Sequence, residues 1–248
     1  MKKTITALTG TALLSVAGMA NAGIVPLVNV EVAGTYWSAK PSGHVESGGR
    51  IDLEDDLNYG RDQYTGWHLR VAHPIPLIPN FRVRYTDFEE SARGTVATTF
   101  EGQTYTGDVD SSLDLSHFDY TIFYTAPLPM VGLDLGFNVK HFDGEFSIEE
   151  RGGTQNSDSV SINEWLPMLY GHARVDLPLT GLGAGVELSY ISYSGDSVSD
   201  LEAYVSYSYN IVFVQGGYRD FRVDVEGSGD LEVDTDVGGP FIRLGARF

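Results

Sequence analysis

Cysteine is absent from the 248 residues, so no disulfide, thiolate metal site or cysteine nucleophile operates in this chain. Bases are scarce too: 16 Lys and Arg stand against 34 Asp and Glu, a formal charge of −18. That balance repels phosphate backbones and argues against a nucleic-acid partner. Long apolar runs are missing after residue 22, so the rest of the chain offers no helix able to span a bilayer. Methionine is rare, whereas 29 Gly and 14 Tyr suit strands, tight turns and aromatic belts.

The first residues differ from the remainder. Lys2 and Lys3 precede a mostly apolar stretch that closes on Ala20 to Ala22, the plan of a cleaved secretory leader. The expected division is therefore a signal peptide over 1–22 and one β-barrel domain over 23–248. Loss of the two leader lysines makes the mature part more acidic still.

From Val28 onward, apolar residues recur at every second position in ten segments, the period of a strand with two unlike faces. Val28, Val30, Val32 and Tyr36 oppose Asn29, Glu31 and Thr35; Leu133, Leu135, Phe137 and Val139 oppose Asp134, Asn138 and Lys140. The connections alternate in kind. Short ones such as "APLPMVG" and "YSYN" follow every second strand, and longer acidic ones such as "SARGTVATTFEGQTYTGDVDSS" lie between. Two unlike rims and weak alternating strands match a transmembrane barrel, whose mean hydropathy looks ordinary because its apolar residues hide in alternation. Bilayers tolerate no open sheet edge, so the sheet must close, and an even strand number lets first and last strands meet antiparallel. The fold class is all-β, a transmembrane antiparallel up-and-down barrel of ten strands.

The last stretch, "GPFIRLGARF", places Ile242, Leu244, Ala246 and Phe248 on one face, with Arg243, Gly245 and Arg247 between them. It resembles the C-terminal assembly signal of Gram-negative outer-membrane β-barrels. Gly238 and Gly239 before it resemble, more narrowly, a family named for a Gly-Gly near the C-terminus, whose function is not established. The resemblance implies an outer-membrane location, long acidic loops extracellular and short turns periplasmic. It implies outer-membrane lipids and lipopolysaccharide as surroundings, and periplasmic chaperones and the barrel-assembly machinery as partners in biogenesis. Ala246 is smaller than the residue usual at that place.

With the apolar face outward, the lumen receives charges of both signs, including Glu31, Arg70, Arg84, Arg174, Glu187, Arg243 and Arg247. Ten strands enclose little more space than eight, so these side chains should pair and fill the interior. Glu187 should face Arg174 or His172, according to whether the intervening turn holds six residues or four, and Glu164 should join the lumen acids. The acidic run "DLEDDL" (Asp52 to Leu57) lacks the glycine-punctuated pattern of a calcium loop and reads as a solvated or lumen-capping loop. "GLGAG" (Gly181 to Gly185) has no helix after it and is no nucleotide loop. His68, His117 and His172 are interior, and Ser189 lies near His172, yet the local signatures of outer-membrane proteases, phospholipases and deacylases are lacking. The expected protein is a monomer without catalytic residues, metal or cofactor, in a structural or surface-interaction role. The alternatives are a small-solute channel or transporter and, behind it, a lipid or peptide hydrolase.

Overall fold

The computed structural model describes residues 28–248 apart from 48, 76, 101–102, 129–130, 152–156 and 227–230; the expected leader lies outside the described residues. Thirteen strands follow in chain order: β1 (Asn29–Ser47), β2 (Arg50–Asp52), β3 (Asp62–Ala72), β4 (Asn80–Asp87), β5 (Glu89–Phe100), β6 (Gln103–Asp114), β7 (His117–Leu128), β8 (Val131–Glu150), β9 (Ser157–Asp176), β10 (Leu182–Tyr193), β11 (Asp196–Tyr209), β12 (Val212–Glu226) and β13 (Leu231–Arg247). Ten of them, all but β2, β5 and β6, are staves of a closed antiparallel barrel. Each stave pairs with its neighbours around the ring, and β13 returns to β1 with Arg247 opposite Glu31 and Arg243 opposite Thr35. All ten expected strands are these staves.

The outward face is the apolar one. Leu135 and Phe137 on β8, Val186 and Leu188 on β10, and Ile242 and Leu244 on β13 are exposed, which only a hydrocarbon solvent rewards. Between Leu182 and Tyr190 the belt occupies about the ten residues that a tilted transmembrane strand needs. Its border towards the long connections is a row of directly opposed rings running Trp67, Tyr85, Phe118, His141, Trp165 from β3 through β9. His141 and Trp165 stack at 3.9 Å between centroids, and Tyr85 lies 4.7 Å from Phe118. Amphipathic rings of this kind settle at a membrane surface.

Beyond that row the structure departs from the sequence reading. The long connections are not irregular loops: β1, β8, β9, β12 and β13 continue past the girdle, and the segment expected as an acidic loop at Ser91 to Ser112 forms most of the β5–β6 hairpin. That hairpin leans on the upper part of β8, with Leu113 opposite Phe146. The reason is a second apolar core: Val96, Tyr105, Val109 and Leu113 point inward and are buried with Ile51, Leu53, Leu57, Phe146 and Val237. Most of their neighbours are Ser, Thr, Asp and Gly, which gave the segment its loop-like composition. We call this half of the molecule the cap. "DLEDDL" closes it: the Asp52 carboxylate accepts the backbone N–H groups of Glu54 and Asp55 at 2.9 Å, and Leu53 and Leu57 anchor the turn underneath. It is a capping turn whose leucines are buried and whose Asp55 faces solvent.

The second glycine of the Gly-Gly pair has a steric reason. A Cβ on Gly239 would lie 2.0 Å from the Ser38 carbonyl oxygen, and the Trp37 indole donates to the Gly239 carbonyl at 3.1 Å. Strands β1 and β13 approach closely at this point because Gly239 has no side chain. Gly239→Ala is expected to cost about 1–3 kcal/mol by overpacking, whereas Gly216→Ala, where a Cβ meets nothing within 4 Å, should stay within about 0.5 kcal/mol. Urea titrations of the folded protein in liposomes measure both; equal stabilities would remove the steric role of Gly239.

Candidate functional site

Inside the belt the ten inward faces meet as a charged lumen. Its centre is Arg84 on β4, which donates from Nε to Asp119 at 2.9 Å, from Nη1 to Glu202 at 2.7 Å and from Nη2 to Asp200 at 2.9 Å. Lys140 on β8 lies 2.9 Å from both Asp119 and Asp200. Arg219 on β12 contacts both Asp200 oxygens, at 2.9 and 2.7 Å, and Arg243 on β13 donates to Glu202 at 2.8 Å. Strands β4, β7, β8, β11, β12 and β13 are thus tied across the lumen by one network. Buried charges survive only when paired and hydrogen-bonded; Asp119 and Lys140 are wholly buried and meet that condition.

Towards the short turns three further acids hold Arg70, Arg82 and Arg247, together with His68 and His172. Glu187 accepts from Arg82 and from the Tyr170 hydroxyl. Asp134 accepts from Arg70 at 2.9 Å and from the Thr125 hydroxyl at 2.6 Å, with His172 Nδ1 at 3.2 Å. Glu31 faces His68 at 3.0 Å and Arg247 at 2.6 Å. Towards the cap the guanidinium and ammonium groups lie against rings: Arg219 is 4.6 Å from the Trp37 centroid, Arg243 4.9 Å from Phe241 and Lys140 5.2 Å from Phe221. Those cation–π contacts join the charged layer to the apolar one above it. Above belt level the interior is therefore apolar.

Of the residues singled out from the sequence, Glu31, Arg70, Arg84, Glu187 and Arg243 are buried inward, and Arg247 is inward and half-buried. Arg174 stands apart at the short-turn rim, 3.5 Å from Asp176. Glu187 is opposite His172, with Leu177 hydrogen-bonded to Leu182 across a four-residue turn. Glu164 is exposed and does not join the network. Asp200, which holds three cations, was missed because it lies one residue before the recognised strand, although it shares a face with Glu202. Ile242, Leu244, Ala246 and Phe248 all face outward on β13 or directly after it.

Among the described residues, two groupings that bear reactive side chains are engaged in other contacts. His117, Asp119 and Asp200 bring ligand atoms within 4.8 Å of one another, but the Lys140 ammonium already sits between the two carboxylates, where a metal would need to be. Ser189 is opposite Tyr170 and Asp200, while His172 is held by Asp134 and the Tyr204 hydroxyl; the nucleophile–base pair is not made. In the cap, burial lifts the Glu90 carboxyl above its usual range, where the Tyr64 hydroxyl donates to it, and pushes Tyr59 up to about 12.

No family model and no curated protein matches the chain, so the likeness to the Gly-Gly family rests on the terminal residues alone. Among solved structures the chain is similar to the attachment invasion locus protein of Yersinia pestis, with 13% identity over 89% of this chain and 98% of that one at a TM-score of 0.36. It is also similar to the toluene transporter TodX of Pseudomonas putida, with 7% identity over 90% of this chain and 89% of that one at a TM-score of 0.33. Likenesses this distant carry no argument about activity.

Proposed function

We propose that the protein is a monomeric outer-membrane barrel whose lumen is shut and whose working surface is the cap, held outside the cell for interaction with other molecules. The carrying observation is the cross-lumen network: Arg84 alone joins β4 to acids on β7 and β11. The void left among Thr35, Trp37, Arg84, Arg219 and Arg243 is about 10 Å³, room for one water at most. The apolar core of the cap stands over this layer. Placing the cap outward follows the general asymmetry of such barrels, with long connections at the cell surface and short turns in the periplasm. Lipopolysaccharide then surrounds the girdle, and the barrel-assembly machinery and periplasmic chaperones handle β13 during biogenesis.

The test is electrical. Purified protein reconstituted in planar bilayers is expected to show no steady conductance, because ions would have to displace a densely paired network. Large, stable single-channel steps from the unmodified protein would replace this reading with a small-solute channel.

A further inference from the structure

The cap contains a cavity of about 200 Å³. Leu53, Leu113, Phe146, Ile162 and Val237 are among its lining residues, and Thr235 is the only polar side chain among the described ones. Its walls come from β1, the turn after β2, the β6–β7 junction, β8, β9 and β13, so it lies at the centre of the cap and is not a crevice between two neighbours. Leu53 and Val237 are almost fully buried, and Val160 at the β9 side is 37% exposed, which places the mouth there. Apolar cavities of this kind hold water poorly and accept single hydrocarbon rings. Five of the lining residues are Val or Thr where a larger side chain would fill the space, and an unfilled void of this size is destabilising.

The wall beside the mouth is low. Pairing of β10 with β9 ends at Tyr190 opposite Leu169, and above it, among the described residues, Ser157 to Met168 of β9 pair only with β8. The β10–β11 turn at Ser194 and Gly195 contributes nothing to the cavity lining. This notch opens beside Trp165 of the girdle and the exposed Tyr193, so a molecule dissolved in the membrane surface reaches the mouth without crossing the acidic connections. Glu46, Glu145 and Asp234 lie on the flanks of the cap, and a carboxylate-bearing ligand would be repelled there.

We propose that this cavity is a binding site for a small uncharged apolar molecule, about the size of one hydrocarbon ring, entering through the notch above β10 and β11. The site rests on the reading of the cap as the working surface, but its test is independent of conductance. Fluorobenzene is titrated into the protein in lipid nanodiscs and followed by fluorine NMR against empty nanodiscs. Saturable broadening is expected with the unmodified protein, at least about tenfold weaker binding with Val160→Trp at the mouth, and no binding of 4-fluorobenzoate. Leu113→Ala, which enlarges the cavity, should admit 1-fluoronaphthalene, and it keeps the test alive if the tryptophan variant does not fold. A response no larger than that of empty nanodiscs would overturn the site, as would unchanged binding in folded Val160→Trp. Equal binding of 4-fluorobenzoate would overturn the uncharged class. Channel steps from the unmodified protein would sink the closed-lumen reading while leaving this titration to stand or fall by itself.

Discussion

Arg84→Met is expected to destabilise the barrel by about 3–5 kcal/mol, the usual cost of removing one partner from a buried ionic cluster. The substitution keeps the bulk of the side chain but leaves Asp119, Asp200 and Glu202 without the guanidinium that each accepts from. Lys140, Arg219 and Arg243 remain, so the loss is partial and the protein should still fold. Combining Arg84→Met with Asp200→Asn should cost less than the sum of the two single changes, because the second removes a charge that the first has stranded. Urea unfolding in liposomes, followed by heat-modifiable migration, measures all three variants. A loss below about 1 kcal/mol for Arg84→Met would reduce the network to surface-like pairs.

Removing Phe248 is expected to leave export intact and to impair assembly, with the heat-modifiable folded form reduced to a minority and periplasmic protease expression induced. Backbone geometry supplies a reason beyond the resemblance of the terminal residues to an assembly signal. Phe248 N–H donates to the Val30 carbonyl at 2.8 Å, and the Val30 N–H donates to the Phe248 carbonyl at 3.1 Å. The residue is therefore the last rung of the seam that closes the ring, and its ring faces outward at the short-turn edge of the belt. Phe248→Leu keeps the rung and removes the aromatic group, so comparing the two variants separates closure from recognition. Normal folding of the deletion without a stress response would refute both roles.

The ten staves could be read from the sequence because lipid on one side and paired charges on the other impose a strict period of two. The contact of Arg247 with Glu31 was legible as well, since closure of an even-numbered barrel puts the first and last strands side by side. Contacts across the lumen were not. Arg84 and Asp200 lie on β4 and β11, strands far apart around the ring, and no rule of register connects them. The cap escaped for a different reason: the apolar residues of β5 and β6 are separated by Gly107 and Ser111 among acids and hydroxyls, so alternation was diluted below the level that marks a strand.

The apolar layer of the cap and the apolar belt of the barrel occupy the same strands, and between them hydrophobicity changes sides while the backbone does not. Along β8 the greasy positions are odd from Val131 to Val139 and even from Phe142 to Ile148; along β1 they are even up to Tyr36 and odd from Trp37; along β13 they switch between Phe241 and Ile242. Each strand thus carries a phase slip of one residue where the surrounding solvent turns from hydrocarbon to water. Such slips act as a depth gauge written in the chain, fixing the height of the barrel in the bilayer to about one residue on three separate staves. A single-residue insertion below the slip would turn the belt half of its strand inside out and leave the cap half untouched, so length changes in these strands are confined to the turns at either end.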